Sequence, residues 1–260
     1  MSVRLSPTNL TRWFSAGCPA AWKFSQDYDV LTPNIHLVVG TFVHGLLEGS
    51  LSADDPQVPP EWWASAVTIY KKLLAWKADL GLTVVRNTRG EPMVEFKYEW
   101  DIAPGIRYVC KADAMVYDAN GDMAIVDYKS TLGNGWKNFV LDAERFAVPQ
   151  ALGFQSESYL IKPPKKVRTK LGLNDGFVWP QKLYYLVGPA RGPCQVFSYV
   201  KDKKEYANFK EALKLAANAI SNGRFPKVKG KACFECDFNK LCYGRQDIDG
   251  LYAAKAKRAD

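Results

Sequence analysis

The sequence predicts an α/β fold, a central mixed β-sheet (an antiparallel meander plus further strands) flanked by helices. Three observations predict it. Three strand-like runs follow one another over about residues 92–130, divided by turn signals. Amphipathic segments with a 3.6-residue apolar period stand on both sides of them, and two more apolar runs, QKLYYLVG and CQVFSYV, come after a helix-length stretch. At 260 residues, 47% hydrophobic and 24% charged, the chain has the composition of a globular protein and the length for a single domain over 1–260.

The elements follow in order. Residues 5–24, LSPTNLTRWFSAGCPAAWKF, open with a helix-start signal, Ser6 as N-cap and Pro7 at the first helical position, followed by Leu10, Trp13 and Phe14 at helical spacing. That helix is expected to stop near Gly17 and leave Cys18-Pro19 at a turn. Residues 40–51, GTFVHGLLEGSL, read as a second helix with Phe42, Val43, Leu46 and Leu47 apolar, while His44 and Glu48 share a face at i, i+4. After the loop DDPQVPP a longer helix is expected over about 60–80, with Trp63, Val67, Tyr70 and Leu74 on the 3.6 period. Strands near 92–101, 106–117 and 122–130 are separated by Ala103-Pro104-Gly105 and Asn120-Gly121. A helix of roughly 141–161 contains Pro149, which kinks or restarts it. Residues 162–180 read as a loop; the two later strands follow, then a helix with Tyr206, Phe209, Leu213, Ala217 and Ile220 on one face.

The chemistry concentrates in Lys111–Ser130, KADAMVYDANGDMAIVDYKS, which reads as a hairpin. In its second strand a pleat of period 2 puts Asp127 and Lys129 on one face and Val126 and Tyr128 on the other. The first strand delivers another carboxylate, Asp113. Charged side chains within the apolar run MAIVDYK carry a desolvation cost, tolerable where a cation and a substrate phosphate neutralise them, so the hairpin reads as a hard-cation site.

No apolar run reaches membrane-spanning length, and MSVRLSPTNLTRWF lacks the apolar core of a signal peptide, so a soluble, cytoplasmic protein without a membrane partner is expected. In a reducing compartment a spaced cysteine cluster points to metal rather than to disulfides; Cys233, Cys236 and Cys242 form such a cluster, C-x2-C-x5-C. Cys110 and Cys194 fall in expected strands and read as small buried hydrophobes. The net charge of +8 invites an anionic partner.

Asp113, Asp127 and Lys129, spaced D-x13-D-x-K, resemble the motif of the PD-(D/E)xK nuclease superfamily. The order GTFVHGLLEG, Glu95, KADAMVYD, IVDYKS and PQALGF resembles its RecB-like exonuclease branch, whose members carry a histidine, paired acids, a lysine and a glutamine in that sequence. The opening LSPTNLTRWFSAGCP and the ending CFECDFNKLC resemble the iron–sulfur members of that branch, the AddB-type helicase-nucleases and CRISPR-associated exonucleases. The resemblance implies a restriction-endonuclease-like core in which Asp113 and Asp127, with His44 and the carbonyl of Tyr128, hold Mg²⁺ or Mn²⁺. Lys129 would orient or deprotonate the attacking water, and Glu95 would bind a second metal or steady the site. Gln150 takes the place of the family glutamine but is followed at i+4 by Phe154 where a tyrosine is usual; Gln155 and Tyr159 keep that spacing further on, and either pair answers as the substrate-contacting one. Cys18 matches the distant first ligand of the iron–sulfur members, so that Cys18, Cys233, Cys236 and Cys242 would hold a 4Fe–4S cluster, with zinc on the same thiolates as the alternative. Either would join the N-terminal helix, about 5–24, to the segment about 225–244.

For a substrate, KPPKKVRTK offers Lys165, Lys166, Arg168 and Lys170 to a DNA backbone, and Trp13, Trp22, Trp136 and Phe139 are candidates to stack on single-stranded bases. No base-reading signature is present, which favours an exonuclease or structure-selective nuclease acting on single- or double-stranded ends. No G-x4-G-K-[ST] loop occurs either, so any unwinding would come from a helicase or recombination partner, in recombination, repair, or phage or CRISPR-associated DNA processing. The competing reading is a non-catalytic DNA-binding or assembly subunit that keeps the fold and the metal cluster.

Overall fold

A computed structural model of the protein describes residues 3–7, 18–30, 35–52, 60–133, 153–228, 233, 236, 238–244 and 252–254. In chain order its elements are β1 (Val3–Leu5), α1 (Pro19–Asp27), β2 (Tyr28–Val30), α2 (Ile35–Glu48), α3 (Pro60–Asp79), β3 (Thr83–Val84), β4 (Val94–Ala103), β5 (Ile106–Tyr117) and β6 (Met123–Thr131). Then come α4 (Gly153–Tyr159), α5 (Lys165–Lys170), β7 (Lys182–Pro189), β8 (Gln195–Val200), α6 (Lys203–Ser221), α7 (Asn239–Cys242) and β9 (Tyr252–Ala254). Seven strands form one mixed sheet with the order β1-β5-β6-β7-β8, to which β3 and β4 add by pairing with β5. The expected α/β architecture is therefore present. The chain groups into two compact units, one of residues 34–98 and 110–201, the other of 1–33, 99–109 and 202–260.

The first of these units carries the hairpin. β5 and β6 are antiparallel, joined through a turn in which Asp118 Oδ1 accepts from the backbone N–H groups of Asn120 and Asp122 and Gly121 takes a φ of +80°. The other oxygen of Asp118 accepts from Lys182 Nζ at 2.7 Å and Tyr184 OH at 2.8 Å, which ties the turn to β7. β7 lies parallel to β6, and β8 antiparallel to β7. On one face of these strands α2 and α3 bury Val39, Phe42, Val43, Leu46, Ala66, Ile69 and Leu73 against Ala114, Val116, Ala124, Val126 and Tyr128. Each large aliphatic side chain so buried contributes about 1.5–3 kcal/mol. Two glycines permit the close approach. A Cβ on Gly188 of β7 would lie 2.8 Å from Leu73 Cγ, and one on Gly40 of α2 would lie 3.2 Å from Ser130 Oγ of β6. Gly40 is one turn before His44, so this approach brings His44 over the end of β6.

Three expectations change here. α2 begins at Ile35, earlier than the anticipated residue 40, because Ile35 and Val39 extend its apolar stripe by one turn ahead of Phe42 and Val43. Within the expected loop 162–180 the run Lys165–Lys170 is the helix α5; Pro164 is its N-cap and, with φ already fixed, leads into the turn. Arg168, read as a phosphate contact, is only 9% exposed there, whereas Lys165, Lys166 and Lys170 face solvent. The C-terminal end of α5 docks through Gly172, at φ +72°, whose carbonyl accepts from Thr88 N–H and Oγ1 at 2.8 Å. In α4, Gln155, Ser156, Glu157 and Ser158 are buried; Ser156 Oγ meets Tyr185 OH at 3.1 Å and Tyr199 OH donates to Glu157.

In the second unit Cys18-Pro19 opens a helix instead of forming a turn. Cys18 is the N-cap of α1 and Pro19 stands at its first position, where the missing N–H costs nothing. Trp22 is buried and stacks on Phe225 at 5.7 Å, which makes it a core side chain rather than a base-stacking one, and Phe24 packs on Phe238. β2 pairs antiparallel with β9. α6 starts with Asp202 accepting from Glu205 N–H at 2.8 Å, and its buried face carries Phe209, Leu213, Ala217 and Ile220 as the periodicity predicts. Residues 8–17, with Trp13, and 134–152, with Trp136, Phe139 and Gln150, lie outside the described residues.

Candidate active site

The site forms where the central hairpin comes apart. β5 and β6 are paired from Ala114↔Val126 to Tyr117↔Met123, while β6 continues to Thr131 along β7. Just past the end of the β5–β6 ladder, the backbone N–H of Tyr128 donates to Asp113 Oδ2 at 2.7 Å. A side chain has taken the place of a strand partner, which aims Asp113 across the opening. Asp127 is 2% exposed, and its Oδ2 lies 2.7 Å from Lys129 Nζ. That oxygen has the ion pair but no hydrogen bond among the described residues.

From α2, His44 Nδ1 reaches to 3.5 Å from Asp113 Oδ2 and 3.8 Å from Glu95 Oε1, and its ring meets Tyr128 edge-on. Glu48, one turn on, joins them: ligand atoms of His44, Glu48 and Glu95 lie within 4.8 Å of one another. Glu95 has φ +45°, the sole non-glycine residue at positive φ among the described ones. Such a conformation costs about 1–2 kcal/mol, and strain held by the surroundings in this way is common at functional sites. Lys111, two residues before Asp113 on β5, completes the group with its ammonium on Glu95. His44, Glu48, Glu95, Asp113 and Tyr128, with Leu47, Val94, Ala114 and Lys77, line a small pocket that is partly open to solvent.

The electrostatics follow from four carboxylates in one place. Burial, and then the charge of Asp127, push Asp113 up to about 7. Burial and the neighbouring Glu95 push Glu48 up to about 7. Burial acts the same way on Glu95, but His44, Lys111 and Glu48 outweigh it and hold Glu95 below its ordinary value, so Glu48 keeps the proton that Glu95 gives up. Burial would lower His44; the attraction of Glu95, Asp113 and Asp127 overcomes it and raises His44. Tyr159, buried behind the acids on α4, is pushed far up by burial and by the charges of Asp127 and Asp113. Crowded carboxylates that keep protons near neutrality, set with an imidazole, form the donor set of a hard divalent cation, and the residues present fit one.

The structure thus gathers His44, Glu95, Asp113, Asp127, Tyr128 and Lys129, with Tyr159 behind them. Gln155 is buried on the same helix as Tyr159, and Gln150 lies outside the described residues. Glu48 and Lys111 were not singled out from the sequence as site residues. Each had a signal: Glu48 is four residues from His44 on a helix, and Lys111-Ala112-Asp113 mirrors Asp127-Tyr128-Lys129 across the hairpin. In the other unit, Cys18, Cys233 and Cys242 come near enough to Tyr243 to raise its hydroxyl, Cys233 most strongly. None of the six cysteines is in a disulfide.

A splayed hairpin on a mixed sheet that displays paired acids and a lysine beside a histidine offers the donor set that a divalent cation would need. The profile of the PD-(D/E)XK nuclease superfamily matches residues 4–243, and the chain belongs to that superfamily. Among solved structures it is similar to a candidate exonuclease from Eubacterium rectale, with 14% identity, a TM-score of 0.56, and 98% of this chain and 91% of that one covered. It is also similar to an alkaline exonuclease from Laribacter hongkongensis, with 9% identity, a TM-score of 0.43, and 85% and 89% covered. No curated protein sequence matches it significantly. No described helix is long and apolar enough to cross a membrane.

Proposed function

We propose that this chain is a divalent-metal-dependent deoxyribonuclease that degrades DNA from its ends. The observation that carries the proposal is the meeting of Asp113, Asp127, Lys129, His44 and Glu95 at the opening between β5 and β6. Asp113, Asp127, His44 and the Tyr128 carbonyl would hold Mg²⁺ or Mn²⁺. When bound, that ion supplies a Lewis acid for the scissile phosphate and lowers the pKa of water. Lys129 brings ammonium donors to the attacking oxygen and to the charge that grows on the phosphate, with Asp127 steadying its position. Glu95 orients His44 and Lys111. Lys165, Lys166 and Lys170, exposed on α5, offer sequence-independent contacts to the backbone of DNA, and Tyr159 packs behind the acids as a positioning residue.

The profile match runs through both compact units, which supports reading 1–260 as one nuclease domain. The nearness of Cys18, Cys233 and Cys242 to Tyr243 supports a cluster on these thiolates with Cys236, and the resemblance of the sequence to iron–sulfur members favours 4Fe–4S over zinc. A role in recombination, repair or phage or CRISPR-associated processing, with a helicase partner, follows from the same resemblance.

Digestion from ends has a direct test. With Mn²⁺ or Mg²⁺, linear DNA is expected to be consumed while a covalently closed circle of the same sequence persists. Equal loss of both, measured by gel and by release of acid-soluble nucleotide, would make the enzyme an endonuclease.

A further inference from the structure

The ammonium of Lys129 has a second neighbour besides Asp127. Its Nζ lies 2.7 Å from Asp127 Oδ2 and also stands over the ring of Tyr185, 5.9 Å from the centroid. That distance is within the reach of about 6 Å over which an aromatic face attracts a cation. Tyr185 is the register partner of Asp127 in the parallel β6–β7 ladder, so its ring, Asp127 and Lys129 share one face of the sheet. The ring is held from several sides. Tyr185 is fully buried, Phe197 is its register partner on β8, and its hydroxyl meets Ser156 Oγ of α4 at 3.1 Å. With the hydroxyl engaged on α4, what Tyr185 offers Lys129 is its π face.

The two neighbours differ in chemistry. Asp127 is an oxygen donor read above as a ligand for a hard divalent cation, so its hold on Lys129 is shared with that role. An aromatic face carries negative charge density but is no ligand for such an ion, which takes oxygen, and it attracts the ammonium without competing for the cation. We propose that Tyr185 is a positioning residue for Lys129: its buried ring is a fixed floor that keeps the ammonium at the β5–β6 opening while Asp127 serves the cation. The inference rests on reading Lys129 as the donor to the reacting phosphate, and the experiment separates the two.

Linear DNA is digested by the full-length chain in saturating Mn²⁺, and kcat and KM are compared for wild type, Tyr185→Phe, Tyr185→Leu and proteins with mono- or trifluorinated phenylalanine at position 185. Fluorine drains charge from the ring face and leaves the shape of the ring nearly unchanged, so a purely structural role would not respond to the series. Tyr185→Phe is expected to stay within about 3-fold of wild type in kcat, with kcat falling stepwise on fluorination and reaching about 10-fold below wild type in Tyr185→Leu. KM, and Mn²⁺ affinity followed by electron paramagnetic resonance, should not change. In a Lys129→Ala background Tyr185→Leu should cost nothing further, because the interaction it removes is already gone. The fluorinated series keeps its shape, so it tests the proposal even where leucine, by opening a cavity, impairs folding. A kcat constant across the fluorinated series, or an equal loss from Tyr185→Leu with and without Lys129, overturns the role of Tyr185 and leaves the nuclease reading intact. No cleavage by wild type in Mg²⁺ or Mn²⁺ overturns both.

Discussion

Lys129→Ala is expected to slow cleavage of linear DNA by about 10²–10³-fold while Mn²⁺ binds as tightly as before or slightly more tightly. The magnitude is that of removing one well-placed donor from a developing oxyanion. Binding should persist because Lys129 supplies no lone pair to a cation, and its loss frees Asp127 Oδ2 from the 2.7 Å ion pair. Rate constants under saturating metal, set beside a Mn²⁺ titration, distinguish this from a variant that merely loses its metal. A fall in rate that disappears at high Mn²⁺ would remove Lys129 from the chemistry.

Asp113→Asn is expected to abolish cleavage and yet stabilise the metal-free protein. The amide keeps an acceptor for the Tyr128 N–H that Asp113 Oδ2 now satisfies at 2.7 Å, so the hairpin end retains its contact. What is removed is a buried charge beside Asp127. Burial and that neighbour move the carboxyl from 3.8 to about 7, so between these values the folded state binds more protons than the unfolded one. Stability contributed by this group therefore falls as pH rises through that window. Asparagine does not titrate, and the advantage of the variant should be nil near pH 4 and full above pH 7. A gain of about 1–3 kcal/mol would raise the melting temperature in EDTA by roughly 2–10 °C at pH 8. An unchanged or lower melting temperature at pH 8, with normal folding, would mean that the carboxylates are not in conflict. Adding Mn²⁺ should reverse the order, stabilising wild type and not the variant.

Much of this was legible in the sequence because it depends on local periodicity. Asp127-Tyr128-Lys129 reads as two charges on one face of a strand, and the apolar run before it announces burial; the structure has Asp127 at 2% exposure and Tyr128 in the core. The strands of the meander, α3 and α6 follow for the same reason, with turn residues at Asp118–Gly121 marking the hairpin. What local pattern could not supply was distance between elements. Glu48 enters the site because Gly40 lets α2 run close to β6, and Lys111 because its ammonium meets Glu95, which takes a positive φ on β4. Cys18-Pro19 and the run after Pro163-Pro164 read as irregular in the sequence, yet both open helices, since proline is as suited to the first turn of a helix as to a loop. Arg168 shows the limit of charge counting: one position in a basic run is buried while its neighbours are solvated.

The most direct measurement of the central claim is cleavage of end-labelled linear DNA by purified wild type and Asp127→Ala, each with Mn²⁺ and with EDTA. Wild type should release nucleotides only in Mn²⁺, and Asp127→Ala in neither condition, with both proteins equally folded by circular dichroism. Equal degradation by the two proteins, or none by wild type across Mg²⁺ and Mn²⁺, would contradict the assignment of the β5–β6 opening as a phosphodiester-cleaving centre.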